Sequence, residues 1–373
     1  MSAESSLRFL RQLQRLLDEG LFTSTYKYAL LQALADLSVE QEPGADGGLW
    51  LAVPEIAEKF VEYYWRQALP FSPPAGAASA VTPDRSPLKP LLQNTDGQAA
   101  VITHIVAARS RAPGGSLAAL RQDTSAWLAL RNKVASVIRG MPLWKLQTVP
   151  GEATEFLYRK AEFRDDRIRL LPGVPAAFRN FHGLVTNLVR GAWVARVQRI
   201  PGNREVLGET ASLEGFLFGT DRATLAPWRE ILRDHQSGRC FYCRSRVGGA
   251  GDLDHFIAWS RYPVDLGHNF VFSHPACNLA KREHLAHPEH LRRWRESNLE
   301  GGDALAAAFD AARLPHDRER SRRITVWAYG QAELAGAHAW VEGRRVEALG
   351  SGWRSALGME QVRMAAEEGA EYR

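Results

Sequence analysis

The chain has 373 residues, of which 24% are charged and 45% hydrophobic, with a formal net charge of +5 and a pI near 9.2. The length predicts more than one packed core, and the basic balance favours an anionic partner. There is no apolar run of the roughly 18 residues that cross a bilayer and no signal-peptide core at the start. We therefore expect a cytoplasmic protein without a membrane segment.

Residues 1–69 predict a helical N-terminal region of three helices, because apolar residues recur at every third or fourth position. Ser24 or Thr25 can cap the second helix, and Pro54 suits the first turn of the third. The aromatic residues of the third helix are Phe60, Tyr63, Tyr64 and Trp65. These side chains either pack in a helical core or form a stacking surface for unpaired bases.

Residues 70–92 are rich in Pro, Ala and Ser without periodicity, which predicts a linker or long loop. Residues 93–220 follow as a mostly helical region. Helical patterns cover 96–111 and 116–139, and another begins at Pro175 and continues to about residue 200.

Between these helices, the segments EFLYRK and RIRLL alternate enough to predict short strands or a hairpin. The helix that begins at Pro175 contains four arginines, Arg179, Arg190, Arg196 and Arg199. They form either a solvated face or a stripe that contacts phosphates.

A second domain is expected at residues 221–300, followed by a helical C-terminal extension at 301–373. A helix capped by Asp221 and ended by Gly238 leads directly to Cys240.

All three cysteines lie in two short pairs, Cys240 with Cys243 and His274 with Cys277, and two residues separate the members of each pair. Three thiolates and one imidazole at this spacing are a ligand set for tetrahedral zinc. Such a site has no open position, so its role is structural. The rival fourth ligands, which lack the matching spacing, are His235, His268 and His284.

A second motif lies between and beside these pairs. It consists of adjacent Asp254 and His255, Asn269 placed 14 residues after the histidine, and Asn278 placed 9 residues further on. Together with the cysteine pairs, this segment resembles the HNH endonucleases, which have a ββα-metal fold. The resemblance covers about 50 residues. It departs from the commonest zinc-bearing pattern because His274 replaces a cysteine and Asn278 replaces a histidine.

The resemblance implies an α+β protein in which a zinc-braced ββα-metal domain hydrolyses DNA. It assigns His255 as the proton acceptor from water, and Asp254 and Asn278 as ligands of a catalytic Mg²⁺ or Mn²⁺ ion. It also assigns Asn269 to orient the histidine through its backbone. Lys281 and Arg282 are candidate phosphate contacts, as are Arg292 and Arg293 further along the chain. Because neighbours on a strand point to opposite faces, Asp254 and His255 share a site only where the strand bulges.

Two other functions remain open at this point. A zinc-stabilised module could bind nucleic acid without cutting it, and the substrate could be RNA rather than DNA. A large helical region joined to an HNH-like domain suggests, by analogy alone, antiviral defence together with companion proteins in bacteria.

Overall fold

The protein is described by a computed structural model that covers residues 3–20, 22–71, 89–149, 152–207, 213–219 and 225–359. The chain divides into two compact units, Met1–Thr220 and Asp221–Arg373. Helices predominate, and the strands form small antiparallel pairs, so the fold class is α+β as predicted. Most of the expected linker, residues 72–88, lies outside the described residues, as does Asp221.

The helices of unit 1 have these bounds: α1 Ala3–Glu19, α2 Tyr26–Glu40, α3 Val53–Gln67, α4 Ala100–Arg109, α5 Leu117–Gln122, α6 Thr124–Gly140, α7 Pro142–Lys145, α8 Val174–Asn180, α9 His182–Arg199, α10 Pro201–Leu207 and α11 Leu213–Phe218. Helix α2 is buried along its whole length and packs against α3, α8 and α9. One apolar core runs from Phe9 to Leu217. Within the described part of the chain, none of the helices combines the length and low polarity that crossing a bilayer requires.

The strands of unit 1 are β1 Leu49–Ala52, β2 Thr148–Val149, β3 Glu152–Ala153 and β4 Arg167–Leu170. The RIRLL segment forms β4, as expected, but it pairs with β1 rather than with EFLYRK. The prediction of a local hairpin was wrong. EFLYRK contributes only an isolated bridge from Tyr158 to Leu170, because Leu49 and Leu51 offer β4 a partner that also buries apolar side chains in the core.

Two long helical patterns are interrupted. The first breaks at Asp123, whose carboxylate accepts a hydrogen bond from Ala126 N and starts α6 as its N-cap. The second breaks at Phe181, between α8 and α9. Thr25 occupies the N-cap of α2 but does not cap it, because its hydroxyl pairs with the Tyr64 hydroxyl at 2.7 Å.

The aromatic residues of α3 pack in the core rather than forming a stacking surface. Phe60 and Tyr64 are fully buried, and Trp65 is 8% exposed. Tyr63 donates a hydrogen bond of 2.6 Å to the buried carboxylate of Asp36, which also accepts from His182 at 2.7 Å when His182 Nε2 carries the proton.

Three of the four arginines near α9 make contacts within unit 1. Arg179 donates to Ser38 O at the end of α2, and Arg190 lies over the Phe218 ring. Arg196 donates to Thr23 O. These three arginines therefore connect loops and helix ends within unit 1. This role differs from both predicted alternatives, a solvated face and a stripe that contacts phosphates.

Unit 2 contains α12 Ala226–His235, β5 Asp252–His255, β6 Phe270–Ser273, α13 Pro275–Lys281, α14 Pro288–Trp294, α15 Asp303–Ala311, α16 Arg318–Leu334, β7 His338–Glu342, β8 Arg345–Ala348 and α17 Trp353–Ala356. Its core joins α12, β6 and α15 through Trp228, Phe270 and Phe309. Residues 301–359 are not purely helical, because β7 and β8 form a hairpin. Gly238 has φ +67°, and its N–H bonds to Arg233 O, so it ends α12 as the sequence predicts.

Candidate active site on a hairpin beside a cysteine and histidine cluster

A hairpin followed by a short helix forms the framework of the candidate site. Strands β5 and β6 pair in a regular antiparallel register that runs from Asp252 opposite Ser273 to His255 opposite Phe270. Helix α13 begins at Pro275, directly after β6. This order of elements, β-β-α, is the one that the resemblance implies.

The first cysteine pair lies in a tight turn. Cys240 N donates to Ser245 O over 2.9 Å, and Arg244 N donates to Cys240 O over 3.0 Å. Arg244 has a φ of +66°, so the chain reverses immediately after Cys243. Phe241 N then bonds to Phe272 O at 2.9 Å, which fastens the turn to β6. The turn therefore faces the start of α13, where the second pair lies.

The ligand atoms of Cys240, Cys243, His274 and Cys277 all lie within 4.8 Å of one another. A tetrahedral zinc ion with Zn–S bonds of about 2.3 Å holds its sulfur ligands roughly 3.8 Å apart, so small side-chain movements suffice. Nε2 of His274 bonds to Arg246 O at 3.1 Å, and Nδ1 lies 3.3 Å from Cys243 Sγ. Such a bond fixes the ring so that Nδ1 is the ligand atom. The cluster could bind a metal ion such as zinc.

The rival histidines are placed elsewhere. His235 Nε2 lies 3.1 Å from Ser297 Oγ, and His268 is fully buried beside Phe309. His284 does not belong to the cluster. The two-residue spacing therefore selected the correct fourth member.

The thiols are crowded enough to perturb one another. Burial opposes ionisation of Cys243, but hydrogen bonds from the Ser245 backbone and from the Cys240 and His274 side chains outweigh it and lower its pKa to about 7. Burial and the sulfur atoms of Cys240 and Cys243 raise the pKa of Cys277 to about 12. Three ionised thiols would therefore repel one another at this site, and a bound dication would offset that repulsion.

Asp254 is buried beneath α13 with two partners. Its Oδ2 accepts a hydrogen bond of 2.5 Å from the Tyr242 hydroxyl and lies 3.1 Å from Lys281 Nζ. No described residue bonds to its Oδ1. Asn278 bonds not to Asp254 but to Asp252, with Nδ2 donating to Oδ2 over 3.3 Å. Asp252 and Asp254 lie on the same face of β5 by strand alternation, so this face presents oxygen donors, which suit a hard cation.

His255 lies on the opposite face of β5. Its Nε2 is 2.8 Å from Asp265 Oδ1, and its ring contacts Phe270 and Trp259. The register of β5 contains no bulge, so the structure does not bring Asp254 and His255 to one face. Strand alternation prevails here because the Phe270 ring and Asp265 hold the imidazole on the far side.

Asn269 braces the backbone just after His255. Its side chain accepts from Ile257 N at 2.9 Å and donates to Ile257 O at 3.0 Å, while its own carbonyl accepts from Phe256 N at 2.7 Å. This buried asparagine fixes the path of the chain that leaves the histidine. Asn269 contacts the backbone, as the resemblance implies. It bonds to Phe256 and Ile257, the two residues that follow His255, rather than to His255 itself.

The expected phosphate contacts are separated in the structure. Lys281 is completely buried and donates to His255 O at 3.0 Å in addition to pairing with Asp254. It is therefore not accessible to a phosphate in this arrangement. Arg282 and Arg292 are exposed. Arg293 donates to Phe241 O at 2.8 Å and to Tyr242 O at 3.1 Å, so it supports the cysteine turn.

Sequence reasoning missed three residues of this site, namely Tyr242, Asp252 and Asp265. Tyr242 lies between the two cysteines of the turn, and its place against Asp254 follows once the turn docks on the hairpin. Asp252 precedes Asp254 by two residues, a spacing that puts both on one strand face. Asp265 carries no local signal, because its contact with His255 depends on how the loop between β5 and β6 folds back.

Residues 6–213 match a family model described as "Domain of unknown function (DUF8808)", which spans more than half of the chain. The chain belongs to this family. The DUF8808 match lies within unit 1, and the metal cluster and Asp254 to Lys281 lie beyond it. No curated protein and no solved structure matches the chain.

Substituting Lys281 by Met should destabilise unit 2 by about 3–5 kcal/mol, because it leaves the Asp254 carboxylate buried without its counter-charge. The control, Arg282→Met, changes the exposed neighbour and should cost no more than about 0.5 kcal/mol. Native-state hydrogen exchange across residues 252–281 reports this unit separately from unit 1. Equal protection in the two variants would mean that the ion pair does not support the fold.

Proposed function

We propose that unit 2 is a metal-dependent endonuclease that hydrolyses phosphodiester bonds in DNA. The observation that carries the proposal is the His255–Asp265 pair at the end of a hairpin that a cysteine and histidine cluster fastens to α13. An imidazole held by a carboxylate is the arrangement that general bases use. The resemblance of the motif to HNH endonucleases supports the same reaction.

His255 would take the proton from the attacking water. A hydrogen bond from Nε2 to Asp265 leaves Nδ1 as the acceptor, since no described residue bonds to it. The Asp265 carboxylate then stabilises the imidazolium that forms, which lowers the barrier to proton transfer. Asn269 holds the chain after His255, so the ring is presented from a fixed backbone.

A divalent cation such as Mg²⁺ or Mn²⁺ would be held on the other face of β5, by Asp254 Oδ1 together with the side-chain oxygens of Asp252 and Asn278. When bound, it would offset charge on the scissile phosphate and on the departing 3′ oxygen. Lys281 would keep its contact with Asp254 Oδ2, so the cation and the lysine would bind different oxygen atoms of the same carboxylate. The donor set fits a hard cation because it consists of oxygen atoms.

The scissile phosphate would lie across the end of β5. His255 is the last residue of this strand, and the regular alternation of side chains stops there.

One observation favours a second function, a zinc-braced module that binds nucleic acid without cutting it. Asp254 is already paired with Lys281, and His255 points to the other face. Cleavage by the purified protein separates the two functions, because a binding module leaves the phosphodiester intact.

The three cysteines all lie in the metal cluster rather than in disulfides, which suits a reducing cytoplasm. We propose DNA as the partner there and retain antiviral defence, with companion proteins, as the setting suggested by analogy. The DUF8808 region of unit 1 would then serve targeting or assembly.

Supercoiled plasmid incubated with the protein and Mg²⁺ or Mn²⁺ should pass through an open-circle form before linear DNA appears. A single His255 can activate water against one strand at a time, and the strands run antiparallel, so a monomer must rebind to cut the second. Agarose gels of a time course measure the order of products. Linear DNA without an open-circle precursor would instead indicate a symmetric dimer, and intact plasmid under every metal condition would contradict the nuclease proposal.

A further inference from the structure

A second candidate site lies behind the cysteine turn, in a cleft of about 380 Å³. This volume falls in the range of about 300–1,000 Å³ that is typical of small-molecule sites. Its lining includes Ser237, Arg239, Cys240, Arg244 and Arg293. The lining contains three arginines and no acidic residue.

The three arginines are held near one another without a carboxylate partner. Arg239 Nη1 donates to Arg244 O at 3.2 Å, which ties the two ends of the turn together. Arg293 uses Nη1 for its bonds to the turn. Among the described residues, neither its other guanidinium nitrogens nor the Arg244 guanidinium has a hydrogen-bonding partner.

Arg244 and Arg293 repel each other in the cleft. Burial, followed by repulsion from Arg244, holds the pKa of Arg293 below its usual value, and Glu289 and Glu296 offset this only in part. Guanidinium groups that repel one another in a polar cleft are stabilised by an anion between them. Their planar donors match the oxygen atoms of phosphate.

We infer that this cleft binds a phosphate group, with Arg239, Arg244 and Arg293 as its donors. The Ser237 side chain in the lining adds a hydroxyl donor. The phosphate could belong to a DNA backbone or to a small phosphorylated molecule, since both present the same oxygens. The inference does not require that the hairpin cuts DNA, because the cleft lies apart from Asp254 and His255.

The alternative use of these arginines is to offset the thiolate charge of the metal cluster, since Cys240 borders both. Anion binding and metal content must therefore be measured on the same protein samples. The double variant Arg239→Gln/Arg244→Gln removes two donors and keeps most of each side-chain stem. Arg293 is left in place because it supports the turn. The matched control, Arg233→Gln/Arg313→Gln, removes the same charge from two exposed arginines outside the cleft.

Inorganic pyrophosphate is titrated into the full chain by calorimetry without added divalent metal, and zinc content is measured before and after. The wild type should bind saturably. The cleft variant should bind at least about tenfold more weakly, the effect of losing one hydrogen bond between charged groups. The control should match wild type, and all three proteins should retain equal zinc.

A short duplex without terminal phosphates identifies the source of the phosphate. Binding that pyrophosphate displaces, and that the cleft variant loses, assigns the cleft to the DNA backbone. Binding of pyrophosphate with no competition by the duplex assigns it to a small phosphorylated molecule. The inference is overturned if wild type shows no saturable binding, if the control loses as much affinity as the cleft variant, or if only the zinc content changes.

Discussion

His255→Ala should reduce plasmid cleavage by at least about a hundredfold, the lower end of what a positioned general base contributes, while DNA affinity persists. The expected loss is large because His255 is the only proton acceptor that the proposed mechanism assigns to the attacking water. Initial rates of open-circle formation and a separate binding titration measure the two effects. Retained cleavage would remove His255 from the mechanism.

Two further variants sharpen this test. Asp265→Asn keeps the size of the side chain but removes the charge that stabilises the imidazolium, so kcat should fall with little change in KM. His338→Ala alters an exposed histidine on β7 and should cut like wild type. If Asp265→Asn cuts at the wild-type rate, the 2.8 Å contact with His255 has only a structural role.

Removing the cluster metal should unfold the hairpin and α13. We expect one zinc per chain, and Cys240→Ser should lower the free energy of opening of residues 240–281 by about 4 kcal/mol or more, with loss of solubility. The physical reason is that the turn, the end of β6 and the start of α13 meet at the four ligands, so the metal bonds would join all three elements at one point. Elemental analysis and native-state hydrogen exchange are the measurements.

Unit 1 provides the internal control for this experiment. Helix α2 is buried along its length and belongs to a separate compact unit, so its exchange protection should not change when the metal is removed. Protein that is purified without chelators and contains no zinc would contradict the prediction. Uniform loss of protection in both units would indicate global unfolding rather than a local role of the cluster.

Local patterns were sufficient for much of the architecture. Apolar periodicity predicted α1, α2 and α3. The spacing of Cys240, Cys243, His274 and Cys277 predicted that these four side chains form one cluster. Such features depend on residues within one turn or one helical repeat, whose separation the chain itself fixes. The α+β class followed from these helical patterns together with the resemblance to the HNH endonucleases.

Contacts between distant segments were decided only by the tertiary structure. β4 pairs with β1 rather than with the nearby EFLYRK segment, because β1 completes the core. The helical pattern that begins at Pro175 is interrupted at Phe181 although its apolar periodicity continues. Neither outcome has a local signal, since both depend on which apolar surfaces meet.

The same division applies to the candidate site. The sequence by itself picked out Asp254, His255 and Asn278 as candidate site residues, because their types and spacing resemble the HNH motif. Tertiary structure decided their partners: Lys281 is buried against Asp254, and Asp265 folds back onto His255. Packing of the turn and of the loop between β5 and β6 sets these contacts. Burial, rather than spacing, therefore determines whether a charged side chain faces a substrate or another residue of the protein.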